Sequence, residues 1–233
     1  MRSYKIQPLF FVALSMLTYY LLQFSFPTYG SYVIYPIKIT VTMLHEFGHA
    51  MAAVITGGTV KAIQINSNGS GWCETQGGLI GVVLMGGYLG SAIFGNMLLY
   101  VGYVYPSFSK YMLYILSAIM FIIATVWSAS LTSTALVIPF LVTTFLLGKY
   151  AKRLCGFVIM TIGALSVSHV IFDYKVGPSS DLAKYAEIWP FLSQKGWMYV
   201  WLVFVVAITW VTINRMKKEK SRLQSKKMEY LAT

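Results

Sequence analysis

Charge is what this chain has least of. Only 11% of its 233 residues are Asp, Glu, Lys or Arg, against about a quarter in ordinary soluble domains. With 57% hydrophobic and 16% aromatic residues, so sparse a charge excludes a water-soluble globule and points to a polytopic membrane protein. Cysteine is almost missing too. Cys73 and Cys155 are too few and too far apart for a disulfide framework, and neither has metal-ligand spacing. Aspartate occurs only at 173 and 181, and histidine only at 45, 49 and 169, so any metal site must draw on a short roll of ligands. The net charge of +11 does not indicate nucleic acid. Seven of the eighteen basic residues lie between Arg215 and Lys227, just after the last apolar run, a pattern that fits a juxtamembrane tail facing anionic lipid.

Against this background the stretch Val41 to Val54 stands apart. It places His45, Glu46 and His49 inside an apolar helical pattern. A helix turns once in 3.6 residues, so the two histidines share a face one turn apart. Glu46 lies about 100° around the helix, within reach of a water held between them. This is the HExxH arrangement, two imidazole ligands to Zn²⁺ and a carboxylate that acts as base. Polar groups are costly in a membrane, so their presence there carries a functional reading by default.

The apolar runs predict an all-α membrane protein of about seven transmembrane helices. Residues 8–26 form the first, read as an uncleaved anchor behind Arg2 and Lys5. The second runs from about 32 to 56, carries HExxH in its second half and stops at Gly57-Gly58. The third covers 79–103. Residues 111–148 are long enough for two spans joined tightly at Ser128 to Ser133. Lys149, Lys152 and Arg153 mark the next boundary, and further spans follow at about 154–172 and 197–213. Residues 1–213 therefore read as one membrane-embedded domain, and 214–233 as a basic tail, mobile or bound to the membrane surface.

Between the second and third spans, Thr59 to Asn66 alternates apolar and polar residues, and Asn68-Gly69 is a turn signal. A β-hairpin is expected. A helical substrate must unwind before hydrolysis, and a strand edge can hold it extended, which makes Ile63 and Ile65 candidate substrate-binding positions. An ordinary connecting loop is the alternative. Asn68-Gly-Ser70 also matches a glycosylation acceptor, relevant only in a secretory compartment. In the third span Gly86, Gly90, Ser91 and Gly95 form a small-residue stripe suited to close helix packing, expected against the HExxH helix. Asn96 in the same span is a candidate to position a substrate carbonyl or to make an inter-helix hydrogen bond.

A catalytic zinc takes three protein ligands and keeps a fourth position open. Four spans separate the hairpin from the segment 173–195, an even number, so both emerge on one side. Asp181, after Ser180 and before an apolar turn, reads as a helix start and is the first choice for third ligand. Asp173, His169 and Glu187 are alternatives, and Asp181 as a plain capping residue is another.

Thr42-Met-Leu-His-Glu-Phe-Gly-His-Ala-Met51, the Gly-Gly that follows, the Asn66-to-Gly71 turn and Gly86-Gly-Tyr-Leu-Gly90 resemble the site-2-protease class of intramembrane zinc metallopeptidases. The likeness is to its compact peptidase-like branch without a PDZ domain, with Ser180-Asp181-Leu182-Ala183 as the counterpart of a Ser-Asp-Ala-like segment. The resemblance implies cleavage of membrane-embedded peptide bonds in membrane-protein substrates. It implies Zn²⁺ held by His45, His49 and an acid, with Glu46 as base and the site near the cytosolic face. The Leu-Asp-Gly or Asn-Pro-Asp-Gly motif of better-known members is missing here. Two other classes fit the same residues, a zinc-binding membrane scaffold without turnover and a transporter, although polar groups gather at one site with no matching second half. Sidedness stays open from sequence. Seven spans with a cytosolic tail put Arg2 and Lys5 outside. Oligomeric state is likewise open.

Overall fold

A computed structural model describes residues 7–172, 174, 176–178 and 180–232. Helix α1, Pro8–Tyr20, opens on a proline at its first turn and passes into a π-helical turn, Leu21–Ser25. Helix α2, Pro27–Ile55, follows after one residue and carries HExxH. Strands β1, Thr59–Ile65, and β2, Gly71–Gln76, form an antiparallel hairpin. Helices α3 (Ile80–Val104), α4 (Ser109–Thr125), α5 (Leu131–Tyr150), α6 (Cys155–Phe172), the short α7 (Asp181–Ile188) and α8 (Gln194–Ala232) complete the order.

The hairpin and the expected turn at 128–133 are both present. The span count differs from expectation. Among the described residues, five helical segments are long and apolar enough to cross a membrane: α1 with its π-turn, α3, α5, α6 and α8; α4 is a shorter apolar helix. The expected seven also included α2. That helix begins folded back on the end of α1, where Gly30 lies against the Leu22 backbone, and finishes with Ala53 and Thr56 against Gly78, just before α3. The basic tail continues α8 as helix. Its Lys220 Nζ donates to Tyr103 Oη at 2.8 Å and sits over that ring, and Tyr105 Oη donates to Glu219 at 3.3 Å. These contacts fasten the tail to the end of α3.

The small-residue stripe of α3 is shared between two partners. Gly86 and Gly90 face Gly48 of α2, whereas Gly95 faces Gly163 and Ser166 of α6. Without a hydrophobic effect between helices in lipid, close backbone approach supplies the packing energy. At the α2–α3 crossing a Cβ on Gly48 would stand 2.2 Å from the Gly86 carbonyl oxygen. The Gly48→Ala variant is expected to lose about 1–3 kcal/mol of stability by overpacking, and Gly90→Ala less, because its added carbon meets Gly48 at 3.2 Å. Thermal unfolding in detergent measures both, and an unshifted G48A midpoint would contradict this packing.

Candidate metal centre

Helical spacing brings His45 and His49 to one face, with their Nε2 atoms 3.1 Å apart. Each ring is held from behind. The His49 Nδ1–H donates to the Val83 carbonyl of α3 at 2.7 Å, which orients the ring with Nε2 toward the site. His45 stands edge-on to Tyr88 at 4.7 Å, and Tyr88 stacks on Tyr174 at 4.6 Å.

Asp181 arrives from the far end of the sequence. Ser180 caps α7, its Oγ accepting from Ala183 N at 3.1 Å and donating to Gly177 O at 2.8 Å. Leu182 is fully buried in a cluster with Val41, Leu84 and Val170, which pins the helix start against α2 and α3. The carboxylate Oδ2 then lies 3.2 Å from His45 Nε2 and 3.3 Å from His49 Nε2. Burial by itself raises the Asp181 pKa. Hydrogen bonds to the two imidazoles, together with their charge, outweigh it and hold the carboxyl below the usual carboxylate range.

Three ligand atoms separated by 3.1–3.3 Å match the edge of a tetrahedral zinc site, where bonds of about 2.1 Å set ligands roughly 3.4 Å apart. Space is kept for an ion by Gly87 of α3. A Cβ there would fall 2.4 Å from both imidazole Nε2 atoms, in the position the ion requires. The donor set, two neutral imidazoles and one carboxylate, suits Zn²⁺. Among the described residues these three form a group able to hold a metal.

Glu46 is buried beside the triad, 5% exposed, and lines the same cavity of about 440 Å³. Its carboxylate approaches the hairpin at Gly71, where a Cβ would stand 2.9 Å from Glu46 Oε1. The hairpin turn is tied to α2 by Thr42 Oγ1 donating to Gly69 O and Tyr35 Oη donating to Ser67 O, both at 2.8 Å. Strand β2 therefore forms one wall of the cavity, from Gly71 to Thr75, and α3, His169 of α6 and Lys184 of α7 complete it.

The hairpin's two edges have different fates. Ile63 N–H donates to Trp127 O at 2.5 Å, Ala129 N–H donates to Ile63 O at 3.0 Å, and Ile65 N–H donates to Ser133 Oγ at 3.0 Å. The α4–α5 connection thus occupies the outer edge of β1. Ile63 pairs with Cys73 and Ile65 with Gly71. When one member of an antiparallel pair turns its backbone groups outward, so does the residue opposite. The N–H and C=O of Gly71 and Cys73 consequently face the cavity side of β2.

The structure brings together His45, His49, Asp181 and Glu46, and it sets Ile63, Ile65 and Asn96 apart from them. The Ile63 and Ile65 side chains are 0% and 1% exposed in the core beside α2 and α4. Asn96 is buried away from the cavity, its Nδ2 donating to Ala92 O at 2.9 Å and Thr209 Oγ1 at 3.1 Å, an α3–α8 contact. His169 lines the cavity, with Nδ1 bonded to Tyr19 Oη at 2.5 Å, and is not part of the triad. Glu187 is exposed on α7, and Asp173 lies outside the described residues. Sequence reasoning missed Val83, Gly87 and Cys73. Gly87 was visible only as the second glycine of Gly86-Gly-Tyr-Leu-Gly90, and a backbone carbonyl leaves no sequence signal.

Cys73 is half-buried on the cavity wall, and burial, with the charges of Glu46 and Asp181, pushes its thiol up to about 12. Raising the pKa removes thiolate below that pH. In chelator-treated protein at pH 8, iodoacetamide should therefore modify Cys73 some hundredfold to a thousandfold more slowly than an ordinary thiol. Rates should climb as pH approaches 12. Mass-spectrometric alkylation rates test this, and ordinary reactivity at pH 8 would refute it.

No curated protein and no solved structure matches the chain. A family model does match, described as Peptidase M50B-like, across residues 11–212. That span takes in every helix described above except the start of α1 and the basic end of α8. With the HExxH helix, the converging Asp181 and the apolar bundle all inside it, the chain belongs to the Peptidase M50B-like family.

Proposed function

We propose that this protein is an intramembrane zinc metallopeptidase that hydrolyses peptide bonds of membrane-spanning proteins. The observation that supports it best is the meeting of His45, His49 and Asp181 within 3.1–3.3 Å, with the buried Glu46 on the same cavity wall. Zn²⁺ held by these three residues would supply a Lewis acid to polarise the scissile carbonyl and acidify water. Glu46 takes the proton from the attacking water and passes it to the leaving amine. Val83 and Tyr88 hold the imidazoles in register for that ligation. Lys184 places a positive charge at the cavity wall.

A transmembrane helix has its amides closed within itself, so a water-based attack needs a locally unwound segment. The outward-facing backbone groups of Gly71 and Cys73 on β2 offer that segment a strand to pair with, beside Glu46. This assigns substrate binding to the β2 edge and not to the Ile63 and Ile65 side chains. The basic end of α8 supplies a band of positive charge for anionic headgroups.

Glu46→Gln is expected to reduce cleavage roughly 10²–10⁴-fold, the usual worth of a general base, and to leave one zinc per chain. Asp181→Ala should lose the zinc itself. Metal analysis alongside cleavage of a reconstituted model helix tests both. Retained turnover in E46Q would sink the assignment, and wild-type protein with full zinc but no turnover would favour a non-catalytic zinc scaffold. A second variant examines the strand edge. Cys73→Pro deletes an outward N–H and breaks no bond of the hairpin ladder, so cleavage should fall while zinc content stays. Unchanged cleavage would exclude substrate pairing there.

A further inference from the structure

The charges around the metal-centre cavity are unevenly divided. Glu46 of α2, Glu74 of β2 and Asp181 of α7 all line it, and among the described residues Lys184 is the only Lys or Arg that does so. Lys184 follows Asp181 by three residues on α7, and residues at that spacing share a helix face. The remainder of α7 is sealed into the bundle. Leu182 and Ala183 are buried, and Tyr185 lies edge-on to Trp197 at 4.8 Å and to Trp201 at 5.0 Å. Tyr185 Oη also donates to Met85 Sδ of α3 at 3.3 Å. The ammonium is thus carried on a fixed helix, on the side that presents the candidate third ligand.

No acid of the cavity neutralises it. Asp181 turns its Oδ2 to the two imidazoles, and among the described residues Lys184 enters no ion pair. Glu74, exposed on the β2 wall, is outside any ion pair as well. Two walls of one cavity therefore carry opposite charges that do not meet. A peptide strand paired with β2 passes along this cavity, and a carboxylate on it is repelled by Glu46, Glu74 and Asp181. It has one permanently charged side chain to turn to, at Lys184, so the acids reinforce the choice that the lysine makes. A lysine ammonium is a compact point charge without the planar fork of arginine, and it accepts a carboxylate in more than one orientation. Three helical residues span about 4.5 Å, and an extended chain advances about 3.3 Å per residue. The ammonium accordingly stands within about three residues of the bond held at the metal centre.

We propose that Lys184 is a specificity-determining residue, selecting substrate segments that carry a carboxylate within about three residues of the bond to be cut. That carboxylate comes from an Asp or Glu side chain or from a free C-terminus. The substrate assignment rests on the peptidase reading above, but the selection of ligand is also measured without turnover. The probes are model transmembrane peptides with Asp, Asn or Lys placed in turn along one helix-breaking stretch. A further pair ends within that stretch as a free acid or as an amide. Cleavage by zinc-loaded wild-type protein in detergent gives kcat/KM, and anisotropy of dye-labelled peptides gives affinity for zinc-loaded Glu46→Gln protein. At the responsive position the acid should exceed its amide counterpart about fivefold to tenfold in both assays, as expected of a charge-assisted hydrogen bond at a part-exposed site. Lys184→Gln should erase that ratio, and Lys184→Glu should reverse it in favour of the Lys peptide, with zinc content showing that each variant keeps its site. A preference confined to the Asp peptides, or to the free acid, supports the proposal and names the source of the carboxylate. Equal treatment of acid and amide by the unsubstituted Lys184 protein, absence of binding included, overturns it. So does a preference that K184Q and K184E both leave intact. Acid-selective binding that depends on Lys184, with no cleavage by the wild type, would instead count against the peptidase reading alone.

Discussion

The close crossing of α2 over α3 at Gly48 and Gly86 is the contact on which the site depends. No side chain separates the two backbones there. Only at that distance can the Val83 carbonyl reach His49 Nδ1, and only with glycine at 87 is there room in front of both imidazoles. One packing constraint thus serves three ends: it joins two helices in lipid, orients a histidine ring and reserves a volume for an ion. Helices that met through Leu or Ile would stand several ångströms farther apart, and the bond from His49 to the Val83 carbonyl would be lost with the cavity.

Electrostatics explains why the polar groups are concentrated. Glu46, His49 and Asp181 sit among fully buried apolar residues, where an isolated charge is costly and a paired one is tolerated. Asp181 meets two imidazoles through a single oxygen. A bound cation would replace the shared proton in that arrangement and satisfy all three ligands at once. Cys73, on the same wall, is held as a thiol by burial and by the charges of Glu46 and Asp181.

The hairpin works by asymmetry. Strand β1 has its side chains in the core and its outer edge closed by Trp127, Ala129 and Ser133. This rigid backing leaves β2 with one edge toward the cavity, at a fixed height relative to Glu46. A two-stranded hairpin is marginal alone; anchored at Thr42, Tyr35 and the α4–α5 turn, it becomes a fixed wall.

By itself the sequence determined the class of the protein, the order of its elements and the local chemistry of the metal helix. Those follow from composition, apolar run length and the 3.6-residue period, all of them local quantities. The capping residue Ser180 also made the start of α7 legible, and with it Asp181 as a candidate. Long-range matters were decided only by the tertiary structure. Ile63 and Ile65 alternate as an exposed strand edge would, yet the α4–α5 turn covers them; Asn96 resembles a site residue, yet faces α8. Helix α2 is long enough to cross, yet both its ends are held at one end of the bundle by Gly30 and Gly78. Periodicity records which faces of an element are apolar. It does not record which neighbour arrives to cover them, because that choice is made by contacts between residues far apart in the chain.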